Sequence, residues 1–205
     1  MKFLIKFLSI LTCISYSNLS FSNPINNISL FDEEKGLYNF YVEIPAGSKE
    51  KWEVNKDLGI LEYEKRNNGD KRIIRFLGYP GNYGFIPQTL ANDGDPMDII
   101  DLEESISRGS ISKIRIIGGL YFKDKNKEDI KFIGVKPDGV FKDIENINQL
   151  LLSKPNVLEI LKSWFLSYKK PGKMVFFRYI DKDESEKMII EGNTKWKTLL
   201  EGTSK

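Results

Sequence analysis

Histidine is absent from all 205 residues of this chain. Its absence excludes Ser–His–Asp and Cys–His nucleophilic catalysis, zinc sites with histidine ligands, and acid–base chemistry by an imidazole. Any enzyme built from this sequence must therefore work with carboxylates, lysines, arginines and tyrosines.

Cysteine is almost absent too, since Cys13 is the only one. It lies in an N-terminal segment that we expect to be removed, so the mature chain is predicted to contain no disulfide and no thiolate metal site. Thr12 is an unfavourable residue before a lipidated cysteine, which argues against a lipoprotein anchor. Only oxygen ligands remain for a metal ion, and these favour magnesium, manganese or calcium.

The N-terminus has the pattern of a secretory signal peptide. Lys2 and Lys6 precede an apolar stretch over residues 7–16, and Ser20 and Ser22 have the small-residue spacing of a cleavage site. We therefore predict a signal peptide over residues 1–22, a single domain over residues 23–205, and an exported protein that is periplasmic or secreted. The alternative is that this segment folds as a buried first helix or strand.

An excess of one charge is also lacking. The formal net charge is +2, and loss of the two lysines of the leader brings it to zero. A neutral domain lacks the basic surface that nucleic-acid binding needs, so we expect no nucleic-acid partner. No run of about 18 apolar residues follows the leader, and we expect no membrane association once the signal is removed.

Short alternating segments predict a domain rich in β-strands. They lie at residues 38–44, 51–54, 61–64, 71–77, 97–102, 111–122, 130–135 and 174–180. Residues 155–168 predict the main helix, and a C-terminal helix is expected after residue 180. Residues 23–36 are polar with little periodicity and predict an exposed lead-in. The fold class indicated is α+β: a small closed barrel, OB-like and mostly antiparallel, with the two helices packed outside.

Three aspartates lie within six residues on one predicted loop. Asp93, Asp95 and Asp98 are separated by glycine and proline, and their mutual repulsion is costly unless cations neutralise it. A calcium-binding EF-hand loop starting at Asp93 fails at its fifth and sixth positions, which are Met97 and Asp98. The flanking segments also predict strands rather than helices. The loop is therefore a candidate site for divalent cations of another type.

A second acidic pair, Asp124 and Asp129, lies in a charged turn, with Lys131 two residues further on. Alternation places Asp129 and Lys131 on one face of a strand while Ile130 and Phe132 point inward. Taken alone, such a run of charges is more often a solvated turn than a functional site.

Together these motifs resemble those of family I soluble inorganic pyrophosphatases. The aspartate signature stands here as Asp93-Gly-Asp95-Pro-Met-Asp98, and a second motif as Tyr79-Pro-Gly-Asn-Tyr83-Gly followed by Phe-Ile-Pro-Gln-Thr. Further matches are Glu43-Ile-Pro, Lys51-Trp-Glu53, Asp124 with Asp129-Ile-Lys131, and Tyr168-Lys169 at the helix end. The matches occur in family order over residues 38–180. The resemblance implies hydrolysis of pyrophosphate to two phosphates.

The resemblance also implies roles for individual residues. Metal ligands would be Asp93, Asp98, Asp124, Asp129 and Glu43, holding three to four Mg2+ ions, with Mn2+ or Zn2+ as possible substitutes. Asp95 would be the general base, and Glu53 would orient the network at its edge. Substrate contacts would come from Lys51, Arg72, Lys131 and Lys169 as cations and from Tyr83 and Tyr168 as phenol donors. Tyr168 also lies on the apolar stripe of the helix and could serve the core alone.

Three assignments stay open at this stage. Arg66, Arg72 and Arg75 compete as the substrate arginine, and Arg72 is preferred because it lies seven residues before Tyr79 in a family-like strand. The chain length favours a homo-hexamer, as in bacterial members, while the inserted hairpin is more like the dimeric members. The alternative functions are a barrel that binds polyphosphate or single-stranded nucleic acid, a secreted calcium-binding domain, and a hydrolase of another phosphoanhydride.

Overall fold

The computed structural model describes residues 23–203. The predicted signal peptide, with Cys13, lies outside the described residues, and its assignment stays a prediction. Among the described residues, no helix combines the length and the apolar character that crossing a membrane requires. The helices are α1 (Pro24–Asn27), α2 (Ile147–Ser153), α3 (Pro155–Ser167) and α4 (Lys182–Thr203). The strands are β1 (Phe31–Asp32), β2 (Leu37–Ile44), β3 (Trp52–Val54), β4 (Leu61–Tyr63), β5 (Asn82–Ile86), β6 (Met97–Asp101), β7 (Ile111–Asp124), β8 (Lys127–Val135) and β9 (Met174–Ile180).

Five strands close into a ring. The sheet runs in the order β1-β2-β5-β6-β8-β7-β9, and an additional pairing of β2 with β7 closes the barrel. Only the β6–β8 pair is parallel among the described strands, and the other pairs are antiparallel. Closure removes the exposed edges that β2 and β7 would otherwise present. The predicted α+β fold with a small, mostly antiparallel barrel is therefore confirmed.

Alternation along β2 explains how the barrel interior is filled. Phe40, Val42 and Ile44 are fully buried and point inward, as a period of two residues requires. The register between β2 and β5 shifts between Val42 and Ile44, which marks a bulge. At this bulge a Cβ on Gly84 would lie 2.0 Å from the backbone oxygen of Tyr41, so only glycine allows the two strands to approach.

The helices pack outside the barrel, as predicted. Helix α3 buries Leu158, Leu161, Trp164 and Phe165 against the core that the strands share with α2. Helix α4 lies against β7 and buries Ile189 in a second cluster with Phe40 and Ile99. The predicted end of α3 is confirmed, because the helix stops at Ser167 before Pro171 and Gly172.

Two local predictions were wrong, and one strand was not predicted. Residues 71–77 do not form a regular strand, because only isolated bridges, such as that between Glu50 and Ile73, pair this segment. The lead-in is not simply exposed: Ile25 on α1 is buried in a small cluster with Val54 and Phe85. Strand β5 was not predicted, because its motif is rich in glycine and tyrosine and has the composition of a loop.

Candidate active site

One cleft of about 780 Å3 brings together residues from β2, β3, β5, β6, the β7–β8 turn and the end of α3. All thirteen site residues predicted from the sequence lie on its walls: Glu43, Lys51, Glu53, Arg72, Tyr83, Asp93, Asp95, Asp98, Asp124, Asp129, Lys131, Tyr168 and Lys169. Residues up to 126 positions apart in sequence thus meet on one surface. Their individual catalytic roles stay predictions.

Lys131 lies at the centre of the acidic wall. Its ammonium forms ion pairs with Asp98 and, at 2.5 Å, with Asp129, and only 5% of its side chain is exposed. Asp129 and Lys131 therefore share a strand face, as the alternation predicted. Burial raises the pKa of Asp98, against the opposing effect of Lys131. Burial acts to lower the pKa of Lys131, but Asp98 and Asp129 outweigh it and keep this lysine charged.

The β7–β8 turn presents Asp124 to Lys169 at the end of α3. The Lys169 ammonium donates to Asp124 Oδ2 at 2.7 Å and lies 4.0 Å from Asp129. The other carboxylate oxygen of Asp124, Oδ1, is buried and has no hydrogen-bond partner among the described residues. A buried oxygen of this kind is costly unless a donor or a cation satisfies it.

Glu64 is a site residue that the sequence analysis missed. Its carboxylate binds the Arg72 guanidinium through Oε1 and the Lys51 ammonium through Oε2 at 2.8 Å. One acid behind the cleft thus orients two cations that face into it. Of the three candidate arginines, only Arg72 lies on the cleft wall. The signal that could have identified Glu64 is its place in the hairpin, directly opposite Arg72 across the turn.

Two tyrosines on the cleft belong to a stack of aromatic rings. The Lys131 ammonium donates to the Tyr83 hydroxyl at 2.9 Å, and the Tyr83 ring packs on Tyr79. Tyr168 stacks on Trp164 at 4.6 Å between ring centroids. Burial raises the pKa of Tyr83 well above its usual value, so its phenol stays protonated. Tyr168 therefore serves the core and also reaches the cleft, so both sequence interpretations describe it.

The aspartate loop reaches the rim of the cleft at its tip. Asp95 is 58% exposed in its side chain and pairs at 2.5 Å with Lys56, which also donates to the Gly94 carbonyl. Lys56 was not identified from the sequence, because an isolated lysine after a strand carries no motif. Asp95 therefore lies where solvent water reaches it, while Asp98 lies deeper on β6.

Glu43 on β2 and Glu53 on β3 also line the cleft. Removal from solvent raises the pKa of Glu43 to about 8, although the Val54 amide donates to its carboxylate at 2.7 Å. Glu53 is more exposed and lies 3.6 Å from the Lys51 ammonium. A nearby cation would restore the charge of Glu43 at neutral pH, because opposite charge lowers the pKa of a carboxyl group.

The chemistry of the donors fits magnesium. The cleft is lined by ten carboxylates and seven cationic side chains, and the orphaned Asp124 oxygen lies among them. Oxygen donors of this kind suit magnesium, which keeps several waters and needs few protein ligands. Within residues 23–203 no group of three or more carboxylates is gathered tightly enough to enclose an ion by itself. The fit therefore rests on the donor set and its charge.

Comparison with known proteins agrees with this geometry. The sequence pattern described as inorganic pyrophosphatase matches residues 40–197. The chain is 40% identical over 141 residues to an inorganic pyrophosphatase of Aquifex pyrophilus, covering 65% of this chain and 74% of that protein. It is 32% identical over 181 residues to an inorganic pyrophosphatase of Ralstonia nicotianae, covering 84% and 98%.

A solved structure extends the comparison to three dimensions. The crystal structure of inorganic pyrophosphatase from Thermus thermophilus superimposes with a TM-score of 0.75 at 27% identity, covering 86% of this chain and 99% of that one. The pattern match spans the barrel, the aspartate loop and most of α4. This chain therefore belongs to the family of soluble inorganic pyrophosphatases.

Proposed function

We propose that this protein hydrolyses inorganic pyrophosphate to two orthophosphates by direct attack of a water molecule, with divalent cations held by its aspartates. The observation that carries the proposal is a single cleft in which all thirteen motif residues meet. Family membership supports the same substrate. The mature protein begins near residue 23 and acts after export to the periplasm or the exterior, a proposal that rests on the leader sequence alone.

Charge explains why cations are needed. Pyrophosphate carries up to four negative charges, whereas the carboxylates on the cleft outnumber its cationic side chains. The protein alone would therefore repel the substrate from the acidic wall. Bound Mg2+ ions would neutralise this charge and lower the pKa of the attacking water. Asp93, Asp98 and Asp129 would hold the first ion, and Asp98 would also contact a second ion. Asp124 with Asp129, and Glu43, would contact the remaining ions, giving three to four in all.

The cationic side chains that line the cleft bind the phosphates. Arg72 offers paired donors in a fixed plane, and Lys51, Lys131 and Lys169 act as point charges. Glu64 holds Arg72 and Lys51 in place before substrate arrives, which reduces the ordering cost of binding. Tyr83, protonated because of its burial, and Tyr168 can donate neutral hydrogen bonds to phosphate oxygens.

Asp95 is the proposed general base. Its carboxylate lies at the rim of the cleft, where water has access, and within reach of the Lys56 ammonium. It would accept the proton of the attacking water, while Glu53 at the edge helps to hold Lys51.

We further propose that the protein assembles as a homo-hexamer, which light scattering of the purified protein would distinguish from a dimer or a monomer.

The test is phosphate release from magnesium pyrophosphate by purified residues 23–205. We expect fast turnover that EDTA abolishes and that Asp95→Asn lowers by at least about a hundredfold. Asp70→Asn is the matched control, because Asp70 lies in the exposed hairpin turn outside the cleft. No turnover by a folded protein with magnesium, manganese or zinc would refute the proposal. Binding assays with polyphosphate and with calcium would then separate the remaining alternatives.

A further inference from the structure

A buried hydroxyl closes the base of the aspartate loop. Thr89 is fully buried, and its hydroxyl donates to the Ile86 carbonyl at 2.6 Å. The same oxygen accepts a hydrogen bond from the Met97 amide at 3.0 Å. Thr89 therefore joins the chain that enters the loop to the chain that leaves it, one residue before Asp98.

Further hydrogen bonds within the loop lie nearer its tip. The Ala91 amide donates to the Asp95 carbonyl at 2.8 Å, and the Asp95 amide donates to the Asp93 carboxylate at 3.1 Å. These two bonds shape the turn around Gly94. Side chains also tie the loop to its surroundings, because Asn92 bonds Glu128 on β8 and Lys195 on α4, and Lys56 bonds Asp95 and Gly94. At the base of the loop, the Thr89 hydroxyl joins the two stems next to the β5–β6 pairing of Ile86 with Met97 and of Phe85 with Asp98.

The entering stem is fixed from outside. Gln88 has a left-handed backbone with φ 55°, a costly conformation for a residue other than glycine. Its amide and side-chain nitrogen donate to the Ile25 and Asn26 carbonyls, and its own carbonyl accepts from Asn193 on α4 at 2.7 Å. The chain that enters the loop is therefore held by α1 on one side and α4 on the other. The hydrogen bond from the Met97 amide to the Thr89 hydroxyl positions the chain that leaves the loop relative to this fixed point.

We propose that Thr89 is a positioning residue for the metal site: its hydroxyl sets the placement of Asp98 relative to Asp93 and thereby the affinity of the cleft for Mg2+. The inference rests on the proposed function, since it assumes that these aspartates hold the ion. Groups that orient metal ligands without touching the metal change metal affinity by about 10- to 100-fold when they are removed.

Two substitutions separate the hydroxyl from the rest of the side chain. Thr89→Val keeps the shape but removes the hydrogen bonds to the Met97 amide and the Ile86 carbonyl, whereas Thr89→Ser keeps the hydroxyl. Ser185→Ala is the matched control, because the Ser185 hydroxyl is equally buried and has no hydrogen-bond partner among the described residues. Each variant is titrated with Mg2+ by calorimetry without substrate, and the kinetics of pyrophosphate hydrolysis are then measured as a function of Mg2+ concentration.

We expect Thr89→Val to bind Mg2+ at least about tenfold more weakly. Its hydrolysis should need correspondingly more Mg2+, while kcat at saturating Mg2+ stays within about threefold of wild type, since no group that touches substrate is lost. Thr89→Ser and Ser185→Ala should bind Mg2+ within about twofold of wild type. A loss of general stability alone would lower the melting temperature without moving the Mg2+ dependence.

Wild-type Mg2+ affinity in Thr89→Val would overturn the inference, as would an equal loss in Thr89→Ser. If Thr89→Val does not fold, Thr89→Ala takes its place with the same expected outcome. Measuring the wild-type protein in the same series distinguishes failure of the role proposed for Thr89 from failure of the proposed function. If it neither binds Mg2+ nor hydrolyses pyrophosphate, the proposed function fails; if it does both, a normal Thr89→Val refutes only the role of Thr89.

Discussion

The Lys131 ammonium lies 2.9 Å from the Tyr83 hydroxyl and donates a hydrogen bond to it. The same ammonium pairs with Asp98 and Asp129, which are held by different strands. One buried cation therefore joins the acids proposed to hold metal to a phenol proposed to contact substrate. Changes at Lys131 should affect metal binding, substrate binding and stability together.

Removing this cation by Lys131→Met should destabilise the protein by about 2 kcal/mol in EDTA. The loss of a buried ion-pair partner costs about 3–5 kcal/mol, and the figure is reduced here because Asp98 is one-third exposed. Pyrophosphate turnover should fall by about a hundredfold or more. Urea unfolding and phosphate release measure the two effects. Lys113→Met, which breaks a pair with Asp32 outside the cleft, should leave turnover unchanged.

Arg72→Lys should lower kcat/KM for pyrophosphate by about ten- to a hundredfold. Lysine cannot supply paired planar donors to phosphate, and it cannot keep the guanidinium contact with Glu64. Arg66→Lys and Arg75→Lys, at positions away from the cleft wall, should stay within about twofold of wild type. Steady-state kinetics of the three variants decide the assignment, and a large loss in either control instead of Arg72→Lys would reassign the substrate arginine.

Asp101→Asn should stabilise the protein at neutral pH. Burial raises the pKa of Asp101 from 3.8 to about 6, so the folded state favours its protonated form. Below pH 3.8 Asp101 is protonated in both the folded and the unfolded state, so its burial costs no stability. As pH rises from 3.8 through 6, the unfolded state loses the proton first, and the free energy of unfolding falls by about 1.4 kcal/mol per pH unit. Urea unfolding should show a gain of about 2–3 kcal/mol for the variant at pH 7.5 that shrinks toward pH 4.

The control for this pH dependence is Asp143→Asn, because Asp143 is exposed. Its unfolding free energy should follow that of wild type across the same pH range. A constant gap between Asp101→Asn and wild type from pH 4 to pH 7.5 would contradict the role of burial.

Gly84→Ala should destabilise the barrel by about 2 kcal/mol or more. The new methyl group would lie 2.0 Å from the Tyr41 carbonyl oxygen, so β2 and β5 must separate at the bulge beside Tyr83. Gly202→Ala is the matched control, since Gly202 lies on α4 with nothing within 4 Å of the added methyl. That variant should be neutral or up to about 1 kcal/mol more stable in thermal or urea unfolding.

Local patterns were sufficient to predict the acidic half of the site. Asp93, Asp95 and Asp98 share one short loop, and alternation alone placed Asp129 beside Lys131. Arg72 also reached the cleft as preferred, although its segment lacks the regular strand that was used to choose it. Motif spacing therefore placed Arg72 in the cleft correctly, although the secondary structure predicted for its segment was wrong.

What the sequence did not reveal depends on contacts between distant segments. Glu64 acts through Lys51 and Arg72, and a lone glutamate in a charged hairpin resembles a solvated residue. Ile25 lies in a polar stretch whose few apolar side chains show little periodicity, so no pattern marks its burial with Phe85. Strand β5 contains glycine because its backbone lies close to that of β2. Such a contact between segments distant in sequence cannot be read from composition.

In the mature chain proposed above, the buried Ile25 on the cleft wall is the third residue, so the working lifetime of that chain would depend on its first residues. An aminopeptidase that begins at residue 23 would reach Ile25 after removing Asn23 and Pro24. Further trimming would dismantle the apolar cluster that supports Val54, whose amide binds Glu43. Slow erosion of the N-terminus would thus inactivate the protein without any cut in the aspartate loop. Pro24, whose tertiary amide resists most such peptidases, would act as a durable stop.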